Sequence, residues 1–478
     1  LIIWHAQKKP PIMKNKQQRV FHFLAALIVL GLISGLSACK PRKGKDEQVK
    51  IAASKVSHPE WSKNASIYEV NLRQYTPEGT FRAFEAHLDR LQDLGVDILW
   101  FMPITPIGEL NRKGSLGSYY SVKDYTGINP EFGTLEDFKQ LVEEIHARDM
   151  YVILDWVANH TAWDHPWTET NPEYYTRDED GNFVPPADDW SDVIDLNYDN
   201  KDLWEAMIGE MRFWLEEAGV DGFRCDVADM VPTEFWNEAV NELEKIKPVF
   251  MLAEAEKPYL HEKAFEMGYG WSFHRLMNHL AQGRSDVTVL DKYFFSVTPE
   301  DRFPKGAYKM NFITNHDENS WAGTEFDRLG DGKEAFAVLT ATMPGMILIY
   351  TGQEAGSKKM LEFFEKDEVE WGNYDYHGFY QTLLYLKGRN QALWNGTAGG
   401  DIQRVNTSRD EAVFAFLREK NSDRVMVVLN LSDEPAEVLL NGDYYAGTYT
   451  EVFSGDVKTF EGNETLSLDA WGYLVFEK

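Results

Sequence analysis

A chain of 478 residues with 43% hydrophobic and 14% aromatic content has the material for a large core, which excludes a disordered protein and a single small domain. The length suits a barrel of roughly 250 to 400 residues with an appended module. A formal net charge of −29 would repel phosphate backbones, so nucleic acid is excluded as a partner and a neutral substrate fits best.

Residues 1–12 do not begin with Met and read as over-extended translation ahead of Met13. From there Lys14, Lys16 and Arg19 precede an apolar run over 20–36 and then Leu36-Ser37-Ala38-Cys39, so that 13–38 has the layout of a secretory signal. Its ending resembles a bacterial lipobox. That resemblance implies cleavage before Cys39 and lipid on its sulfur, giving an exported protein anchored to a membrane on the outer-membrane, periplasmic or cell-surface side. The alternative, an uncleaved spanning helix, falls short of the roughly 20 apolar residues a span needs. Residues 39–56 read as a tether. Cys39 and Cys225 are the only cysteines, too few for a disulfide framework or a thiolate metal cluster.

From about residue 65, short apolar runs alternate with amphipathic stretches, the pattern of βα units. Strands are expected at 66–72, 96–102, 151–156, 222–227, 249–254, 271–274, 310–314 and 346–350. The first intervening helix carries Phe81, Phe84, Leu88 and Leu91, the second Phe138, Leu141, Val142 and Ile145, and a third Leu203, Met207, Met211 and Trp214. These stripes are packing faces. About forty residues after the third strand lack helical period, and long irregular insertions in compact folds are usually functional. After Trp394 the runs shorten and alternate, which predicts an antiparallel β-sandwich over 395–478. The expected fold is α/β: a (β/α)8 TIM barrel over 57–394, a small loop-rich domain B inserted at about 160–200, and the terminal sandwich.

In such a barrel the reacting groups sit at the C-terminal ends of strands. Four runs here end in charged or polar side chains: Asp155 to His160, Arg224-Cys225-Asp226, Glu254, and Asn315-His316-Asp317. Any one such acid could be an ion pair or a helix cap; several together on separate strands point to a site. Side chains two apart on a strand share a face, so Arg224 and Asp226 face the barrel together while Cys225 turns away as a small buried hydrophobe. The cation is expected to keep Asp226 ionised. Asp226 and Asp317 are expected to raise the pKa of Glu254 as like charges.

These motifs resemble the α-amylase superfamily, glycoside hydrolase family 13. Asp155, Asn159 and His160 match its first motif, Gly222 to Asp226 its second, Met251 to Glu254 its third, and Asn315 to Asp317 its fourth. Tyr120 is similar to the family's subsite tyrosine, 193–197 to its loop-domain motif, and 350–354 to its eighth-strand motif. The resemblance implies a retaining α-glucan hydrolase with Asp226 as nucleophile, Glu254 as acid/base and Asp317 as transition-state stabiliser. It further implies Tyr120, Asp155, His160, Arg224, Asn315 and His316 as substrate-binding residues. The substrate implied is starch, glycogen or maltodextrin, α-1,4-linked, with oligo-α-1,6-glucosidase, cyclomaltodextrinase and transglycosylase as alternatives. A non-catalytic glycan-binding relative would typically lose a carboxylate; all three remain. No cofactor is needed for this chemistry. A structural calcium at Asn159 and Asp195 is implied by the family, although Asp229 and Met230 replace its common Lys-His pair; the alternative is a hydrogen-bonded Asn that pins the loop.

Overall fold

Residues 56–298 and 303–478 are described by the computed structural model; the signal segment, Cys39 and all but the last residue of the tether lie outside them. Eight short parallel strands are mainly apolar on both faces, as a sheet covered by helices outside and filled within must be. They are β1 (Ile67–Val70), β2 (Ile98–Phe101), β3 (Tyr151–Trp156), β4 (Gly222–Cys225), β5 (Phe250–Ala253), β6 (Met267–Tyr269), β7 (Tyr308–Asn311) and β8 (Met346–Tyr350). Hydrogen bonding runs β1-β8-β7-β6-β5-β4-β3-β2 and closes. Ile67, Ile98, Trp100, Ile153, Phe250, Leu252, Met267, Met310 and Leu348 fill the lumen, while alternate residues join the larger core between sheet and helices.

The sixth strand corrects the sequence-based expectation. Residues 271–274 open the helix Trp271–Ala281, whose Phe273, Met277 and Leu280 are buried at helical spacing, and the strand lies just before it at Met267–Tyr269. The first helix also differs. It is two short helices, Phe81–Glu85 and Leu88–Leu94, broken at Ala86 and His87, yet its four expected apolar residues are fully buried.

Close approach dictates one glycine. A Cβ on Gly222 would lie 1.9 Å from the Phe250 carbonyl oxygen, so no other residue fits where β4 enters beside β5.

Between β3 and the helix Lys201–Glu217 the insertion is mainly loop, held by the antiparallel pairing of His160–Ala162 with Val193–Asp195. The terminal module has eight strands: β9 (Ile402–Val405), β10 (Val413–Lys420), β11 (Asp423–Asn430), β12 (Ala436–Leu439), β13 (Gly447–Glu451), β14 (Val457–Phe460), β15 (Thr465–Leu468) and β16 (Tyr473–Glu477). One sheet is ordered β9-β10-β11-β16-β13-β14, and β12 pairs with β15 in a second. Strand alternation gives β10 and β11 two jobs. Phe414, Phe416, Val425, Val427 and Leu429 join the barrel's outer core, whereas Val413, Ala415, Leu417, Met426 and Val428 build the module's own. At the seam the buried Arg418 donates to the carbonyls of Thr342 (3.0 Å), Gly400 (2.9 Å) and Trp394 (3.2 Å).

Candidate active site

The charged strand ends converge. Asp155 on β3 and Arg224 on β4 are register partners, which brings the Arg224 Nη1 within 2.9 Å of Asp155 Oδ1. The same nitrogen lies 2.9 Å from Asp226 Oδ1, and Nη2 lies 3.0 Å from Glu254 Oε2. The Nη2 contact lacks hydrogen-bond alignment and is Coulombic. Asp226 and Glu254 follow directly on β4 and β5. Their backbone N–H groups bond the Trp156 and Cys225 carbonyls, extending the parallel ladder by one residue and fixing where each side chain starts. Asp317 stands at the head of the π-helical turn Glu318–Ala322, beyond β7. Side-chain exposure is 0% for Arg224, 10% for Asp226, 14% for Glu254 and 37% for Asp317, so the cluster opens toward solvent on the Asp317 side.

Burial pushes the Asp226 carboxyl up to about 6, with Arg224 pulling it back. Burial, then Asp226 and Asp317 as like charges, push Glu254 up to about 8 against Arg224. Desolvation therefore matters more than the charge neighbours on which the sequence argument rested. The order survives: Asp226 gives up its proton before Glu254 does.

Around this pair, Asp155 is a hub rather than a surface group, accepting from Trp100 Nε1 (3.2 Å) and the Tyr120 hydroxyl (3.1 Å) as well as Arg224. The Tyr120 hydroxyl lies 2.8 Å from His316 Nε2, and the two rings stack. His316 is raised to about 9: burial lowers it, but Asp317 and Glu69 outweigh that. Its Nδ1 contacts Glu69. His160 is held neutral, lowered to about 3 by burial, with its ring edge-on to Trp190 in the inserted domain. Asn315 is fully buried and its Oδ1 accepts the Glu318 N–H at 2.8 Å, which positions the turn carrying Asp317. Cys225 is buried and free, its thiol raised by burial.

Glu69, Trp100, Trp190 and Tyr269, whose hydroxyl accepts from Arg224 Nε at 3.2 Å, were not anticipated. Glu69 carried a signal, a lone acid inside the apolar first strand; the aromatics carried none that separates them from core.

Asn159 and Asp195 are brought close by the pairing of His160 with Asp195, and burial raises Asp195, which has no ion-pair partner among the described residues. Calcium takes six to eight oxygens, so two side chains fit only part of a shell. No group of three or more His, Cys, Asp or Glu set to hold a metal occurs among the described residues.

Known proteins resemble this chain along both its barrel and its terminal module. The family model described as alpha amylase, catalytic domain, matches residues 57–191 and 187–424, and that of the maltogenic amylase C-terminal domain matches 403–475. The chain is 28% identical over 434 residues to the alpha-amylase MalA of Haloarcula japonica, covering 86% of this chain but 62% of that longer protein. It is 26% identical over 443 residues to a cyclomaltodextrinase of a Bacillus species, covering 78% of this chain and 73% of the relative. A maltogenic alpha-amylase from Thermotoga neapolitana superposes with a TM-score of 0.80 at 29% identity, covering 87% of this chain and 99% of that one. For an alpha-amylase from Lactobacillus plantarum the values are 0.77, 30%, 87% and 99%. Barrel, terminal module and strand-end carboxylates together identify the chain as a member of the alpha-amylase family.

Proposed function

We propose that the protein hydrolyses α-glucosidic bonds of starch, glycogen or maltodextrins, α-1,4 by preference, with retention of anomeric configuration. The observation that carries this reading is the Arg224 guanidinium shared by Asp226 and Glu254. Asp226 and Glu254 each follow one member of the Cys225–Ala253 register pair on adjacent strands, so their backbones stand about 4.8 Å apart with one guanidinium against both carboxyls. That suits the roughly 5 to 5.5 Å of a retaining pair rather than the roughly 6.5 to 9.5 Å of an inverting one, which must leave room for a water.

Glu254, raised above neutrality, donates its proton to the leaving glycosidic oxygen as the Asp226 carboxylate attacks the anomeric carbon. The Val227 N–H and Arg224 both occupy Glu254 Oε2, which leaves Oε1 to carry the proton. The C–O bond to the leaving sugar breaks and a glycosyl ester forms on Asp226. Glu254, now a carboxylate, takes a proton from water, whose oxygen displaces Asp226 and returns both groups to their starting states. Asp317 binds the ring's hydroxyls and its negative charge offsets the positive charge that grows there, and His316, held by Glu69, lies 3.5 Å from the Asp317 carboxylate and positions it.

Assay of amylose, isomaltose, pullulan and cyclodextrin with analysis of product size and anomer tests the reading. Release of α-anomeric maltooligosaccharides from amylose is expected. Relatives named as cyclomaltodextrinase and maltosyltransferase make faster turnover of cyclodextrin, or transfer products, the outcomes that would shift the assignment within the family. β-anomeric products, or no sugar release from any of the four, would overturn it.

Two further expectations belong to the same reading. Asn159 and Asp195 are proposed as side-chain ligands of a structural calcium, and a melting temperature unmoved by chelator and by added calcium would remove that site. Cys39 is proposed as the lipidated residue of an exported protein, supported by the Leu36-Ser37-Ala38-Cys39 sequence. Intact-mass analysis of the membrane fraction should show a chain that begins at Cys39 and carries lipid, and neither change in the Cys39→Ser chain.

A further inference from the structure

Trp321 is the most exposed of the large aromatics among the described residues, at 58%, and it sits four residues past Asp317 in a π-helical turn. Such turns are rare and gather at functional sites. An exposed Trp in a protein with an otherwise deep core calls for an occupant.

Its neighbours point inward to the site. Trp321 packs on Phe363 at 5.4 Å between ring centroids, and Phe363 lies nearly parallel to Tyr120, at 6.2 Å and 9°. Three rings thus run from the floor of the site to its rim.

The platform is built rigid. Asn319, in the same turn as Trp321, donates to the Lys359 carbonyl at 3.0 Å and accepts from the Leu361 N–H at 2.9 Å, tying the segment after β7 to the one after β8. Beneath it, Arg73 donates to the Phe363 carbonyl at 3.4 Å and Gln74 to those of Glu362 (3.0 Å) and Glu365 (2.8 Å). A preordered aromatic surface loses little freedom on binding, and flat rings suit the apolar faces of pyranoses.

Direction follows from where the run begins. Its inner ring, Tyr120, stacks on His316, next to the Asp317 proposed to bind the hydroxyls of the retained sugar, and its hydroxyl bonds Asp155 rather than Glu254. The leaving sugar lies toward Glu254, so the aromatic run continues the side of the chain retained on Asp226. The geometry points to Trp321 and Phe363 as a distal glycone subsite, which stacks a glucose unit remote from the bond cleaved and makes the enzyme select chains with a long non-reducing part. This rests on the proposed α-glucan hydrolysis.

A series with one leaving group and a growing glycone tests it: p-nitrophenyl α-glucoside, α-maltoside and α-maltotrioside. The unaltered enzyme's kcat/KM is expected to climb along the series. Trp321→Ala should flatten that climb, losing roughly tenfold more on the maltotrioside than on the glucoside, with the loss mainly in KM. Trp321→Phe should restore most of it. An equal loss on all three substrates, or a slope unchanged in Trp321→Ala, would overturn the subsite while leaving the hydrolase reading intact. Failure of the unaltered protein on the whole series and on amylose would remove the hydrolase reading and the subsite with it.

Discussion

Val227 donates its backbone N–H to Glu254 Oε2 at 2.8 Å from a left-handed conformation, φ 37° and ψ 48°. A β-branched residue in that region stores strain of roughly 1 to 3 kcal/mol, and here the strain aims a donor at the proposed acid. The bond lowers the Glu254 pKa, while burial and two like charges raise it to about 8. With Asp226 near 6, the pair should give kcat/KM a bell-shaped pH profile with limbs close to those values. Glu254→Gln is expected to abolish the alkaline limb and reduce kcat by roughly 10² to 10⁴. A profile from pH 4 to 10 checks this, and an intact alkaline limb in the variant would reassign the acid.

Asp226 links activity to a stability cost. Its folded pKa is raised from 3.8 to about 6, so the folded state holds the proton more tightly than the unfolded state. Its contribution therefore favours folding below about pH 4 and is lost as pH rises toward 6. Asp226→Asn should melt at or above the parent temperature at pH 7, with the gap closing below pH 4, while turnover falls by roughly 10⁴ or more. Paired melting scans at the two pH values decide it.

The contact of Glu69 with His316 shifts stability with pH in the same direction, over a higher window. His316 is raised from 6.5 to about 9, so its stabilising share is complete below about pH 6.5 and is lost as pH climbs through 9. Glu69→Gln should bring the His316 titration down, visible by NMR of the imidazole, and lower kcat by roughly 10²-fold through misplacement of the ring beside Tyr120. A titration that stays at 9 would assign the raised value to Asp317 alone.

Two glycines separate backbone necessity from tolerance. Gly222→Ala forces a methyl into the Phe250 carbonyl and is expected to cost at least about 3 kcal/mol, enough to leave little soluble protein. A Cβ at Gly209, inside the helix Lys201–Glu217, meets nothing within 4 Å, and Ala there should add about 0.5 to 1 kcal/mol in a urea melt.

Much of this architecture could be read from the chain because charged residues end apolar runs: Asp226, Glu254 and Asp155 each mark a strand end by a burial cost that a purely structural strand would avoid. The sixth strand escaped because Met267–Tyr269 is three residues long with Gly268 in the middle, too short for alternation to register, while the aromatics at 271 and 273 mimic it. Register decided what sequence could not: that Asp155 opposes Arg224, and that one guanidinium serves three carboxylates. Glu69 was visible as an anomaly in β1, but its partner lies 247 positions away, a distance no local pattern spans.

Arg418 makes the terminal sheet a wall of the catalytic unit. A shortened enzyme ending near residue 395 would strip the covering from the helix Lys333–Thr342, leave the Thr342 carbonyl without its donor, and expose the hydrocarbon that Phe414 and Phe416 now shield. Swapping in the tail of another amylase should succeed only if the donor brings an arginine at the same place on its second strand. Protein engineers seeking a minimal version of this catalyst will have to trim elsewhere.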